Sequence, residues 1–140
     1  MTRNEIEASA LANMEAHFNC AESVLRGACH CCGLAAPTRV ATCFGGGVGR
    51  SKSELCGALA GGLMALGLST GRDAPEMSSD RAQDLAAEFR RRFIEHNGSS
   101  ICGVLLERFG EQKDWERCKR LTAETAGLLF DLLRAEGGVS

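Results

Sequence analysis

Ser51-Lys-Ser-Glu54-Leu-Cys56-Gly-Ala-Leu-Ala-Gly61-Gly-Leu-Met-Ala-Leu66 is the most informative stretch of this chain. Ser51 and Glu54 have the spacing of a capping box, in which hydroxyl and carboxylate satisfy each other's backbone amides. The apolar run that follows is too short to span a membrane and lacks the alternation of a half-buried strand. The spacing predicts a helix from the Ser51 cap to about Leu66. Gly57, Gly61 and Gly62 give that helix a flat face, suited to a close crossing inside the fold or to a homodimer seam.

The pattern on either side is also helical. Upstream, Gly45-Gly-Gly-Val-Gly49 predicts a turn, because glycine this dense destabilises a helix. Pro37 and Thr38 open a short helix through Val40 and Phe44. Ile6, Leu11, Met14, Phe18, Cys20, Val24 and Leu25 predict one long first helix, ending near Gly27 to Gly33. Downstream, Ser78-Ser79-Asp80 caps a helix with Leu85, Phe89 and Phe93 on one face and Asn97-Gly98 as its stop. Ser99-Ser100 begins a short helix over Ile101 to Phe109. Asp114 caps the last helix, with Trp115, Cys118, Leu121, Leu128, Leu129 and Leu132 inward and Gly137-Gly138 at its end. With two prolines and no alternating strand pattern, the expected fold is all-α: a single-domain bundle of about five to six helices over residues 1–140.

Composition narrows the function. At 140 residues the chain builds a core without disulfide staples. Met1-Thr-Arg-Asn-Glu5 has no apolar signal-peptide core, so a reducing cytoplasmic location is expected. A net charge of −2, the absence of tyrosine and few aromatics argue against a nucleic-acid partner. Arg90-Arg91-Arg92 reads as a solvated face, helped by Glu88. No membrane partner is expected; a homodimer and an unidentified redox partner protein are.

Eight cysteines are too many for packing alone. Cys29, Cys31, Cys32 and Cys43 crowd into one region, and none of the eight is read as part of a Cys-x-x-Cys pair. Cys20, Cys56, Cys102 and Cys118 are dispersed, each in an apolar helical pattern. Cys56, Cys102 and Cys118 fall in or near the first two turns of predicted helices, whereas Cys20 lies further along the first. At a helix N-terminus free amides and the macrodipole favour negative charge by about 0.3–1 kcal/mol. A thiol there loses its proton more readily, and a thiolate-bound metal centre is stabilised.

The order Asn19-Cys20-Ala-Glu-Ser-Val-Leu25, Phe44-Gly-Gly-Gly-Val-Gly-Arg50, Cys56-Gly-Ala-Leu-Ala-Gly61, Cys102-Gly-Val-Leu-Leu106 and then Cys118 resembles the C-GCAxxG-C-C family of redox-active proteins. The similarity runs from about Phe18 to Ala135, and its specific part is Phe44 to Gly67. One branch of the family is similar to a domain of split-Soret cytochromes, where the cysteines are thought to hold an iron–sulfur cluster. By position, the resemblance implies Cys20, Cys56, Cys102 and Cys118 as metal ligands. It also implies that Cys29-His30-Cys31-Cys32 and Cys43 are additions of this chain.

Three functions stay open at this level. One is an iron–sulfur protein for electron transfer or redox sensing, with Gly45, Gly46 and Gly47 as cofactor-binding amides donating to cluster sulfurs. Another is a cluster-free thiol–disulfide or zinc/soft-metal-handling protein, in which Cys56 and Cys102 would alkylate fastest. The last is a non-redox helical interaction module. Cys29-x-Cys31 is tighter than a zinc signature, and Cys29-His30 lacks the earlier cysteine of a covalent haem site. The glycine turn lacks the Lys-Ser/Thr ending of a phosphate-binding loop. No residue is singled out as catalytic, and enzyme activity is left open.

Overall fold

The computed structural model describes residues 1–137. Among them are seven helices and no strand, one helix or two more than expected. They are α1 (Arg3–Glu15), α2 (Cys20–Cys32), a 3₁₀ helix (Thr38–Phe44), α3 (Gly57–Thr70), α4 (Asp80–Asn97), α5 (Cys102–Phe109) and α6 (Glu116–Ala135). The first prolines-and-glycines reading holds for the 3₁₀ helix, the glycine turn and the Gly98 stop, where φ is 92°. Gly137 follows α6 with φ 76°, while Gly138 lies outside the described residues.

The extra helix comes from a break in the expected first helix. His17 takes a left-handed φ of 74°, and Asn19 restarts the chain with a reciprocal cap. The Glu22 amide donates to Asn19 Oδ1 at 2.9 Å, and the Asn19 amide donates to Glu22 Oε1 at 3.0 Å. This box satisfies two amides that a continuous helix would not leave free. The apolar spacing hid the break because it counted Leu11 as inward, whereas that side chain is exposed.

Two other helix starts also differ. The Ser51–Glu54 box does not form; Ser51 Oγ instead donates to the Gly47 carbonyl at 2.7 Å, and α3 begins only at Gly57. Asp114 does not cap α6. Its side chain pairs with Lys119, and Trp115, expected inward, is 58% exposed with φ 57°. The Gln112 side chain takes over, its Oε1 accepting from the Arg117 and Cys118 amides at 2.9 Å each.

Helix α6 packs on α1, α2, α3 and α4, and α2 packs on α1 and α3. Phe89 and Phe93 of α4, Leu59 and Leu66 of α3, and Leu129 and Phe130 of α6 are fully enclosed at the centre. The glycine face of α3 is spent within the chain. A side chain at Gly61 would strike the Ala21 carbonyl of α2, and one at Gly62 would strike the Phe89 ring. Arg91 and Arg92 lie on the solvated side of α4, paired with Glu88, as expected.

Helix α5 is attached differently, by backbone. Leu55 and Ile101 form an isolated antiparallel bridge. The Cys56 amide donates to the Ser100 carbonyl at 2.7 Å, and the Cys102 amide donates to the Glu54 carbonyl at 2.9 Å.

Gly61→Ala puts a methyl group into the α2–α3 crossing. It is expected to lower unfolding free energy by about 1–3 kcal/mol, read as a lower urea midpoint at unchanged slope. An unchanged midpoint would show that this crossing has slack.

Candidate functional site

Each of the four dispersed cysteines lies at the N-terminus of a different helix. Cys20 is the first residue of α2, Cys56 is the N-cap of α3, Cys102 is the first residue of α5 and Cys118 is the third of α6. The break at Asn19 therefore moves Cys20 from a helix interior to a helix start, and the set becomes uniform. All four line one cavity of about 840 Å³. Leu105, Leu106, Phe109 and Leu121 give it an apolar wall, and Arg50 and Lys52 stand on its polar side.

Local structure explains the approach. The Leu55–Ile101 bridge joins the residues that immediately precede Cys56 and Cys102, so these two cysteines leave it side by side. The glycine after each one admits a neighbour. A Cβ at Gly57 would lie 3.2 Å from Cys20 Cβ, and one at Gly103 would lie 2.6 Å from the Lys52 carbonyl. That carbonyl accepts the Gly103 amide at 2.6 Å. Gln112 fixes Cys118 from both sides, its oxygen on the amide and its Nε2 donating to Sγ at 3.3 Å. Thr122, fully buried, donates to the Cys118 carbonyl at 2.7 Å and lies against the Cys20 thiol.

Gly45 and Gly46 line the same cavity, and Gly47 touches Cys102: a Cβ there would lie 2.6 Å from Cys102 Cβ. Residues 46–50 all have positive φ, between 60° and 69°. For Val48, a β-branched residue, that backbone is costly. Hydrogen bonds hold the run in place, from Gly49 to the Cys43 carbonyl at 2.9 Å and from Lys52 to the Gly46 carbonyl at 2.9 Å.

Burial raises every one of these thiols above its ordinary value. It pushes the Cys20 thiol up to about 11, the nearby Cys118 and Cys102 sulfurs adding to the effect and the Thr122 hydroxyl opposing it. Cys56, only 7% exposed, is pushed higher by burial and by Cys20, against the pull of the Ala58 and Leu59 amides. Burial also raises Cys102 and Cys118, opposed by the Lys52 ammonium and by Gln112 respectively. The expectation that Cys56 and Cys102 alkylate fastest is therefore reversed: their thiols stay protonated, and Cys43 is the exposed cysteine. Desolving a thiolate costs more than one helix terminus returns.

Among the described residues, no three His, Cys, Asp or Glu side chains gather tightly enough to hold a single metal ion. The other four cysteines do not line the cavity. Cys29, Cys31 and Cys32 lie in the last turn of α2, and Cys43 lies on the 3₁₀ helix. The expectation that no cysteines have Cys-x-x-Cys spacing is wrong for Cys29 and Cys32, which stand three residues apart in that turn. Asn19-x-x-Glu22 was a legible signal for the helix start at Cys20. Gln112, Thr122 and Lys52 had none, since each acts on a cysteine that only folding brings near.

Two outcomes follow from this chemistry. Below pH 9 the thiols are protonated in both the folded and unfolded metal-free chain, so their raised values contribute fully to stability. As pH rises past 9 the unfolded chain ionises first and stability falls, until Cys20 ionises in the fold near 11. Urea titrations should show stability falling over that window, with Cys20 contributing about 2–3 kcal/mol of the loss, so that Cys20→Ala falls by that much less than the unaltered chain. Separately, Gln112→Ala removes the α6 cap and should cost about 1 kcal/mol in the same titration at pH 7.

No helix among the described residues is long and apolar enough to cross a membrane. No curated protein and no solved structure matches the chain. A family model described as "Putative redox-active protein (C_GCAxxG_C_C)" matches residues 18–132. That span contains all four cavity cysteines, the glycine turn and both Cys-Gly pairs, and the chain belongs to this redox-active family.

Proposed function

We propose that Cys20, Cys56, Cys102 and Cys118 hold an iron–sulfur cluster in the cavity they line, and that the protein transfers electrons or senses redox state through it. The observation that carries this reading is that four thiols from four helix N-termini border one cavity of about 840 Å³.

The charge arrangement supports the same reading. Four thiolates around iron carry net negative charge, and four helix N-termini with Lys52 face it. Metal displaces the thiol protons, so the burial that silences the free thiols does not prevent ligation. It does weaken the cluster-free alternative, since protonated buried thiols exchange slowly with disulfides. When bound, such a cluster supplies one-electron exchange. The residues of this chain hold it, shield it with the Leu105, Leu106 and Leu121 wall, and leave the amides of Gly46 and Gly47 beside it, the Gly45 amide being taken by the Thr42 carbonyl. Residues 1–140 then act as one redox domain.

Protein purified without oxygen, or reconstituted with iron and sulfide, should be brown and contain iron with acid-labile sulfide. Cys56→Ser should lose most of the iron while keeping its helical circular dichroism, and Cys43→Ser should lose none. Colourless, iron-free protein after reconstitution sinks the proposal, and stoichiometric zinc at the same cysteines would favour the alternative.

A further inference from the structure

A second thiol site lies on the opposite end of α2 from Cys20. Cys29 lines a separate cleft of about 430 Å³, together with Ser9, Asn13, Arg26, His30 and Thr38. Arg26 is held there by three contacts. Its guanidinium lies 4.2 Å from the Phe18 ring centroid, Nη1 donates to Thr38 Oγ1 at 3.0 Å, and Nε donates to Asn13 Oδ1 at 3.4 Å. A fixed, exposed cation thus stands in the same cleft as a partly exposed thiol.

Cys32 is three residues further along the same helix, so the two side chains share a face. Helical Cα atoms at that spacing are about 5 Å apart, inside the span a disulfide bridges. Helix α2 ends at Cys32, and Gly33 follows with φ 68°. That end turn is free to tighten towards 3₁₀ geometry, which eclipses residues three apart. Cys31 is buried against Ser9 and near Glu5, and does not itself line the cleft.

We propose that Cys29 and Cys32 form a second redox site, a dithiol that exchanges with small carboxylate-bearing disulfides docked on Arg26. The Cys29 thiolate attacks one sulfur of the small disulfide, whose S–S bond breaks. A mixed disulfide forms on Cys29 and one small thiolate leaves. Cys32 then attacks the Cys29 sulfur, closing the Cys29–Cys32 bond and expelling the second small thiolate. The protons from Cys29 and Cys32 pass to the two leaving thiolates; the protein gives up two electrons and the small disulfide takes them. Burial raises both thiols above their ordinary value; at Cys29 the Ala36 amide and the Arg26 guanidinium oppose it, whereas at Cys32 the neighbouring Cys31 and Cys29 add to it and the thiol is pushed up to about 11.

The test uses the full, reduced chain and oxidised glutathione in oxygen-free buffer, read by mass on the tryptic peptide Gly27 to Arg39. The expected product is a peptide lighter by two hydrogens. Cys31→Ser should still close, and Cys32→Ser should stop at a glutathione adduct on Cys29. Arg26→Met, whose tryptic peptide runs from Asn4 to Arg39 and is read by its fragment ions over Gly27 to Arg39, should slow exchange with oxidised glutathione several-fold and leave exchange with uncharged hydroxyethyl disulfide unchanged. Three free thiols after prolonged equilibration, closure that survives Cys29→Ser, or equal slowing with both disulfides would each overturn the assignment. The cavity cysteines lie outside Gly27 to Arg39, so the result is independent of whether they hold iron.

Discussion

One backbone contact holds the site together: the antiparallel bridge between Leu55 and Ile101. Its two hydrogen bonds, from Cys56 to Ser100 and from Cys102 to Glu54, use the amides of two cysteines 46 positions apart in the numbering. Neither amide has an intrahelical partner, because both stand at helix starts. The bridge satisfies them and fixes the spacing of α3 and α5 in the same step. Side-chain packing alone would leave α5 loosely placed, since only Leu105 of that helix is buried. The strained glycine turn, Lys52 and Gly103 all depend on that registration, as each packs on a backbone the bridge has already positioned.

Electrostatics at the site is a contest between two opposing effects. Helix N-termini draw negative charge towards them, and burial expels it. For the free thiols burial wins, and the neighbouring sulfurs reinforce it. In the proposed cluster, bound metal would reverse the balance, because it would neutralise most of the charge that burial penalises while the dipoles stay in place. The same burial that keeps the free thiols protonated would then leave them able to act as ligands. At the far end of α2 the surroundings differ. Arg26 lines the same cleft as a partly exposed sulfur, so the cysteines at the two ends of one helix have different surroundings.

Much of the fold was legible in the residues. Leu85, Phe89 and Phe93 repeat on one face of α4, and Gly98 ends it with a left-handed φ that favours glycine. The glycine-dense turn and the 3₁₀ helix were also readable from composition. Errors gathered at helix starts. Ser51 and Glu54 match a capping box by spacing, yet Ser51 is drawn to Gly47 by a turn whose shape no local rule encodes. Asp114 has the right chemistry for a cap, yet Gln112 does the capping because the chain enters α6 through two left-handed residues.

The amino-acid sequence by itself determined the all-helical class, the glycine turn, the redox-active family and which four cysteines form a set. Helical periodicity, glycine's conformational freedom and residue order are local properties, carried along the chain before it folds. Only the tertiary structure decided that the four sulfurs border one cavity, that Cys20 starts a helix instead of continuing one, and that Gln112, Thr122 and Lys52 attend them. Those facts rest on contacts between residues far apart in the chain. They rest equally on burial, which is a property of the whole core and inverts the thiol reactivity that helix position alone implies.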